Sequence, residues 1–120
     1  MGNIKAYFIA LCIVVGTVGQ CLAHTGKIIR EACQIALQDD RSNPTLDDAL
    51  KAGTCFGFVA AIFSLGSDLA EPDRFCTPNG VDEQQAMRVL VKYLNEHPEL
   101  THESAVRLSL QAFKEAWPCR

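Results

Sequence analysis

Apolar residues along this chain fall into two regimes: an unbroken run near the N-terminus and, beyond it, stripes spaced three and four apart. Residues 6–19 carry no charge and read Ala-Tyr-Phe-Ile-Ala-Leu-Cys-Ile-Val-Val-Gly-Thr-Val-Gly. Lys5 precedes the run, and Cys21-Leu22-Ala23 follows it with small residues at the two positions a signal peptidase inspects. This order of basic, apolar and small segments predicts a secretory signal over residues 1–23. A membrane anchor is the competing reading, but a span needs about 20 apolar residues, and this run is shorter. A lipoprotein signal on Cys21 is disfavoured by Gln20 directly before it. The expected mature domain is 24–120, beginning at His24.

Within that domain the pattern predicts four helices and no strand. The first covers 26–38 behind Thr25 as N-cap, with Ile28, Ile29, Ala32, Cys33, Ala36 and Leu37 on one stripe. A polar turn at 39–44 ends in Pro44. The second helix starts at Thr45, where Thr-Leu-Asp-Asp resembles a capping box, and runs to Leu65 with Gly66 as a C′ glycine. From Cys55 to Leu65 it is apolar on every side, which predicts the central, buried helix of the domain. Gly53 and Gly57, four apart, share it with Ala60, Ala61 and Ser64. A glycine inside a helix costs about 0.5–1 kcal/mol against alanine, so close approach by another helix is the expected compensation.

Residues 67–80 form the longest irregular stretch, with Pro72, Cys76, Pro78 and the turn pair Asn79-Gly80. The third helix spans 82–96, opened by Asp82 and Gln85 and stopped by Pro98. The fourth runs from His102 to Trp117. Val106, Leu110, Phe113 and Trp117 make one stripe on it, and Ala105, Leu108, Ala112 and Ala116 a second beside it. Together the stripes cover roughly 200° of the helix surface at 100° per residue. A subunit interface and a tightly wrapped small bundle explain that width equally well.

Charge and cysteine content narrow the function. The full 120 residues hold 11 basic and 14 acidic side chains, net −3, and loss of Lys5 with the signal takes the mature chain to −4. No basic patch is present, which argues against nucleic acid or an anionic membrane as partner. Of six cysteines, Cys12 and Cys21 fall in the signal; Cys33, Cys55, Cys76 and Cys119 remain, and none are in CxxC spacing. An even number in a small exported domain points to disulfides and an oxidising compartment. Three pairings are possible. Cys33 and Cys55 flank the turn near Asn43 almost symmetrically, and Cys76 and Cys119 do the same about Glu99. Antiparallel helices would bring such positions level, so Cys33–Cys55 with Cys76–Cys119 is expected.

Candidate chemistry is sparse. With its cysteines bridged the mature chain has no thiol nucleophile, and its histidines are His24, His97 and His102. His97 and His102 lie near Glu96, Glu99 and Glu103, but their spacing of five across Pro98 does not set two rings on one helical face as metal pairs usually are. Neither a catalytic site, a metal site nor a cofactor is expected. Binding residues concentrate on loops, so Glu71 and Asp73 in the long loop, with Glu99 and His102 in the second irregular segment, are the expected partner contacts.

Two stretches carry a family resemblance: Cys55-Phe56-Gly57-Phe58-Val59-Ala60-Ala61, and the series Cys76-Thr77-Pro78, Tyr93-Leu94…His97-Pro98-Glu99 and Trp117-Pro118-Cys119. Over about 26–119 the chain resembles the periplasmic immunity proteins that protect bacteria against type VI secretion amidase effectors. It departs from them at Phe58, where a tyrosine is frequent, and at Trp117, where phenylalanine is common. The resemblance implies an all-α, disulfide-stapled four-helix domain in the periplasm, commonly a homodimer, that occludes the active-site cleft of a peptidoglycan amidase and is not an enzyme. The rival reading is a periplasmic helical envelope or stress factor without a toxin target. A small lipid carrier would need more cavity volume than tight glycine packing leaves.

Overall fold

Four helices form where the apolar stripes fall: α1 (Gly26–Ala36), α2 (Leu46–Leu65), α3 (Glu83–Glu96) and α4 (Ala105–Ala116). Two short 3₁₀ turns, Gly66–Asp68 and Pro98–Leu100, stand at the heads of the two irregular segments. The computed structural model describes residues 24–38 and 40–120. The signal-peptide expectation falls on residues 1–23, outside the described residues. Among the described residues there is no strand, only an isolated antiparallel bridge between Thr25 and Ser104. The domain is all-α with two disulfides, Cys33–Cys55 and Cys76–Cys119, as the hairpin symmetry predicts. Their sequence separations of 22 and 43 correspond to a stabilisation of about 3–4 kcal/mol each in the chain-entropy picture.

The helix starts follow their local chemistry. The Thr45 hydroxyl accepts from the Asp48 N–H at 3.1 Å and the Asp48 carboxylate accepts from the Thr45 N–H at 3.0 Å, a complete capping box. Asp82 caps α3 by accepting from the Gln85 N–H at 2.7 Å. Thr25 and Ser104 hold the N-cap positions of α1 and α4 without side-chain capping bonds. The two helix starts instead satisfy each other through backbone. Gly26 N–H donates to the Glu103 carbonyl (3.0 Å), Lys27 N–H to that of Thr101 (2.8 Å) and Ala105 N–H to that of His24 (2.9 Å). The free donors of a helix N-terminus need partners, and here each segment supplies the other's. This clasp also moves the start of α4 from the expected His102 to Ala105.

Asp48 shows how strongly a cap is held. Its hydrogen bonds from the Thr45 backbone and hydroxyl, and then from Arg41, lower its pKa from 3.8 to about 2. A carboxyl held below its unfolded value stabilises the fold above that value and loses the contribution as pH falls toward the folded one. The expected result is a stability difference between wild type and Asp48→Asn that is complete at about pH 5 and fades from about pH 4 to about pH 2. Urea midpoints across that range measure it; a constant difference would mean the carboxylate does not hold the cap.

The core is built from facing sides of all four helices. Ile29, Ala32 and Cys33 of α1, Cys55, Val59 and Ile62 of α2, Ala86, Met87, Leu90 and Leu94 of α3, and Ala105, Leu108, Ala112 and Phe113 of α4 form one buried cluster. At one end Phe63, Phe75, Phe113 and Trp117 form an aromatic cluster with ring centroids 5.3–6.4 Å apart, the edge-on and offset geometry aromatic quadrupoles favour. The width of α4 is thus largely spent inside the bundle, although Val106 is about half exposed and Ala116 is on the surface.

α2 does pack against all three other helices, but the burial expected of it is not found. Only Cys55, Val59 and Ile62 of its twenty residues are buried. Leu46 is 78 % exposed, Leu50 63 % and Phe56 54 %, and a Cβ added at Gly53 or Gly57 would meet no atom within 4 Å. An all-round apolar helix has no direction in its pattern, so burial by its own chain and burial by another look the same in the sequence. By length and composition alone Leu46–Asp68 suffices to cross a membrane. Its inner face is nonetheless tied to the core by the Cys33–Cys55 bond, and Asp47, Asp48 and Lys51 occupy its first turns.

Gly66 departs from expectation too. Its backbone is right-handed, φ −50° and ψ −50°, and it continues into a 3₁₀ turn rather than closing the helix in the left-handed C′ conformation. Its reason is space: a Cβ there would overlap the ring of Phe75. The left-handed glycine is Gly80, φ +89°, in the turn closed by Val81 N–H to the Pro78 carbonyl.

Candidate partner-binding surfaces

The two irregular segments expected to carry partner contacts are both firmly fastened, at opposite ends of α4. In the first, Asp73 N–H donates to the Ala70 carbonyl at 3.0 Å, Phe75 N–H to that of Gly66 at 3.3 Å and Cys76 N–H to that of Trp117 at 2.9 Å. The buried Phe75 ring and the Cys76–Cys119 bond complete the attachment. Asp68, Glu71, Asp73 and Arg74 are left on the surface, all exposed.

In the second, the Pro98–Leu100 turn is closed by Leu100 N–H to the His97 carbonyl (3.1 Å) and by the Thr101 hydroxyl to that of Pro98 (2.9 Å). The backbone clasp to α1 then fixes residues 101–105. His97 Nδ1 lies 3.2 Å from Glu99 Oε1, and the His97 ring packs on Tyr93 at 4.5 Å. The Tyr93 hydroxyl reaches Gln111 on α4 at 3.4 Å, and partial burial raises its pKa. A hydrogen bond from its own backbone N–H, and then the one to His97, holds the Glu99 carboxyl below the usual range. Glu99 and His102 are both exposed.

The structure therefore divides the four expected contact residues into pairs. Glu71 and Asp73 belong to the Trp117 end of α4, and Glu99 and His102 to its Ala105 end. Twelve helical residues separate the ends by roughly 18 Å at 1.5 Å per residue. Among the described residues no group of three or more His, Cys, Asp or Glu stands close enough to hold a metal ion. The groove between α3 and α4, lined by Val89, Tyr93, Ala112 and Ala116, opens to solvent rather than enclosing a ligand-sized cavity.

A third surface is absent from the loop-centred expectation: the outer face of α2. Leu46, Leu50, Gly53, Gly57, Ala61 and Ser64 lie along it, uncharged and all exposed. The sequence signal for it was the Gly53–Gly57 pair, whose cost no neighbour among the described residues offsets.

No curated protein and no solved structure matches the chain significantly. The family model for Rap1a immunity proteins matches residues 25–119, which takes in all four helices, both disulfides and both irregular segments, and the chain belongs to the family of Rap1a immunity proteins.

Proposed function

We propose that this protein is a periplasmic immunity protein that binds a type VI secretion peptidoglycan amidase and blocks its active-site cleft. Membership of the Rap1a immunity family carries the reading. The physical support is the build of the domain: a rigid frame with two bridges, and exposed acidic side chains on segments whose backbones are already fixed. A pre-ordered loop loses little conformational entropy on binding, so a modest contact area suffices for tight association. No catalytic step is assigned to the chain; its role is to exclude substrate.

Inhibition is tested by mixing the mature protein with the amidase encoded beside it and following peptidoglycan cleavage. Because the candidate contacts sit at two ends of α4, one inserted loop should dominate. Alanine at either Glu71 and Asp73, or Glu99 and His102, is expected to weaken binding about tenfold per residue while the other pair is nearly silent. If no neighbouring or related amidase is bound at micromolar concentration, the immunity reading fails and an envelope factor without a toxin target takes its place. If binding occurs with all four substitutions silent, the contacts lie elsewhere.

The same reading includes a homodimer through the outer face of α2. A small-residue stripe on one helix can pack against its own copy about a two-fold axis, which lets the backbones approach closely. The apolar width of α4 no longer competes for this role, since Leu108, Ala112, Phe113 and Trp117 are buried within the subunit.

A further inference from the structure

The two disulfides differ in what can reach them. Cys33 and Cys55 are both 0 % exposed, whereas Cys76 and Cys119 are each partly exposed. Cys76 also lines an open hollow with Pro78, Trp117, Pro118 and Arg120. Thiol–disulfide exchange needs a thiolate in contact with the sulfur it attacks, so access governs which bond reacts. The bond also has a mechanical role: it joins the segment carrying Glu71 and Asp73 to the residues after α4.

We propose that Cys76–Cys119 is an exchange site for a dithiol oxidoreductase, and that opening it loosens residues 70–74, which carry Glu71 and Asp73, while Phe75 and the helical core stay in place. A reductant thiolate bonds to Cys76 Sγ, the Cys76–Cys119 bond breaks, and Cys119 leaves as a thiolate that takes up a proton. The second thiol of the reductant, deprotonated, then attacks the mixed disulfide and releases Cys76. Two electrons and two protons pass from the dithiol, which becomes a disulfide. The core survives because Cys33–Cys55 remains sealed between α1 and α2. After opening, Leu69 and the Phe75 ring still hold the two ends of the stretch against the core, and residues 70–74 between them keep only the hydrogen bond from Asp73 N–H to the Ala70 carbonyl. This site does not depend on the identity of the partner.

The folded mature protein would be treated with dithiothreitol, and separately with reduced thioredoxin, then alkylated and mapped by mass. Labels on Cys76 and Cys119 should appear at least about tenfold faster than on Cys33 and Cys55. Trypsin supplies the second readout, since Arg74 is exposed but adjoins the anchored Phe75. Cleavage after Arg74 should quicken at least about tenfold in the singly opened protein and in the Cys76→Ser/Cys119→Ser variant, with the helical circular-dichroism signal retained. Simultaneous labelling of all four cysteines overturns the exchange site. Selective labelling with unchanged cleavage at Arg74, or with loss of the helical signal, overturns the local loosening.

Discussion

Phe75→Ala is expected to lower folding stability by about 3–5 kcal/mol, the loss typical of emptying a buried phenylalanine site. The ring is fully buried, packs against Phe113 at 5.3 Å and fills the gap left by the missing side chain of Gly66. Its neighbours cannot close over the space easily, because Phe63, Phe113 and Trp117 already pack on one another. A comparable loss is expected for Gly66→Ala from the opposite cause, a Cβ forced into the ring. Asp73→Ala, two residues from Phe75 but exposed, should stay within about 0.5 kcal/mol of wild type. Urea unfolding of the three variants measures this. A Phe75→Ala loss under about 1 kcal/mol would mean that the segment does not depend on its aromatic anchor.

That anchor also shows where the sequence stopped being legible. Helices α1, α3 and α4 were readable from their apolar spacing, and α3 from its end signals as well. Asp82 with Gln85, and Thr45 with Asp48, form the caps their spacing suggests. The disulfide pairing followed from the hairpins. Phe75 lies in a stretch with no periodicity, so nothing in the pattern distinguished a core residue from a loop residue. The clasp between the starts of α1 and α4 is made by backbone groups alone, and backbone bonds leave no side-chain signature; Thr25 suggests a conventional cap that does not form. Gly66 was read by its position after a helix, whereas its requirement is steric and depends on a residue nine positions later. The four loop contacts were chosen by type and exposure. Their division between the ends of α4 is a consequence of tertiary packing that spacing along the chain does not contain.

The misreading of α2 leads to the sharpest test of the dimer. Alanine at Gly53 and Gly57 meets open space in the single subunit, so each substitution should stabilise an isolated monomer by about 0.5–1 kcal/mol through helix propensity. If two copies pack along this face, the same methyl groups hold the backbones apart, and the double variant should dissociate at least about tenfold more readily. Gly57→Leu should abolish the dimer at tens of micromolar while leaving the thermal transition of the monomer in place. The signs therefore oppose: greater monomer stability with weaker association is expected only when the glycines serve an interface. Analytical ultracentrifugation of wild type and variants, paired with urea unfolding, separates the two quantities. A wild type that sediments as a monomer at these concentrations would remove the homodimer. A dimer that Gly57→Leu leaves intact would move the interface off α2 and leave the exposed Leu46, Leu50 and Phe56 to another partner.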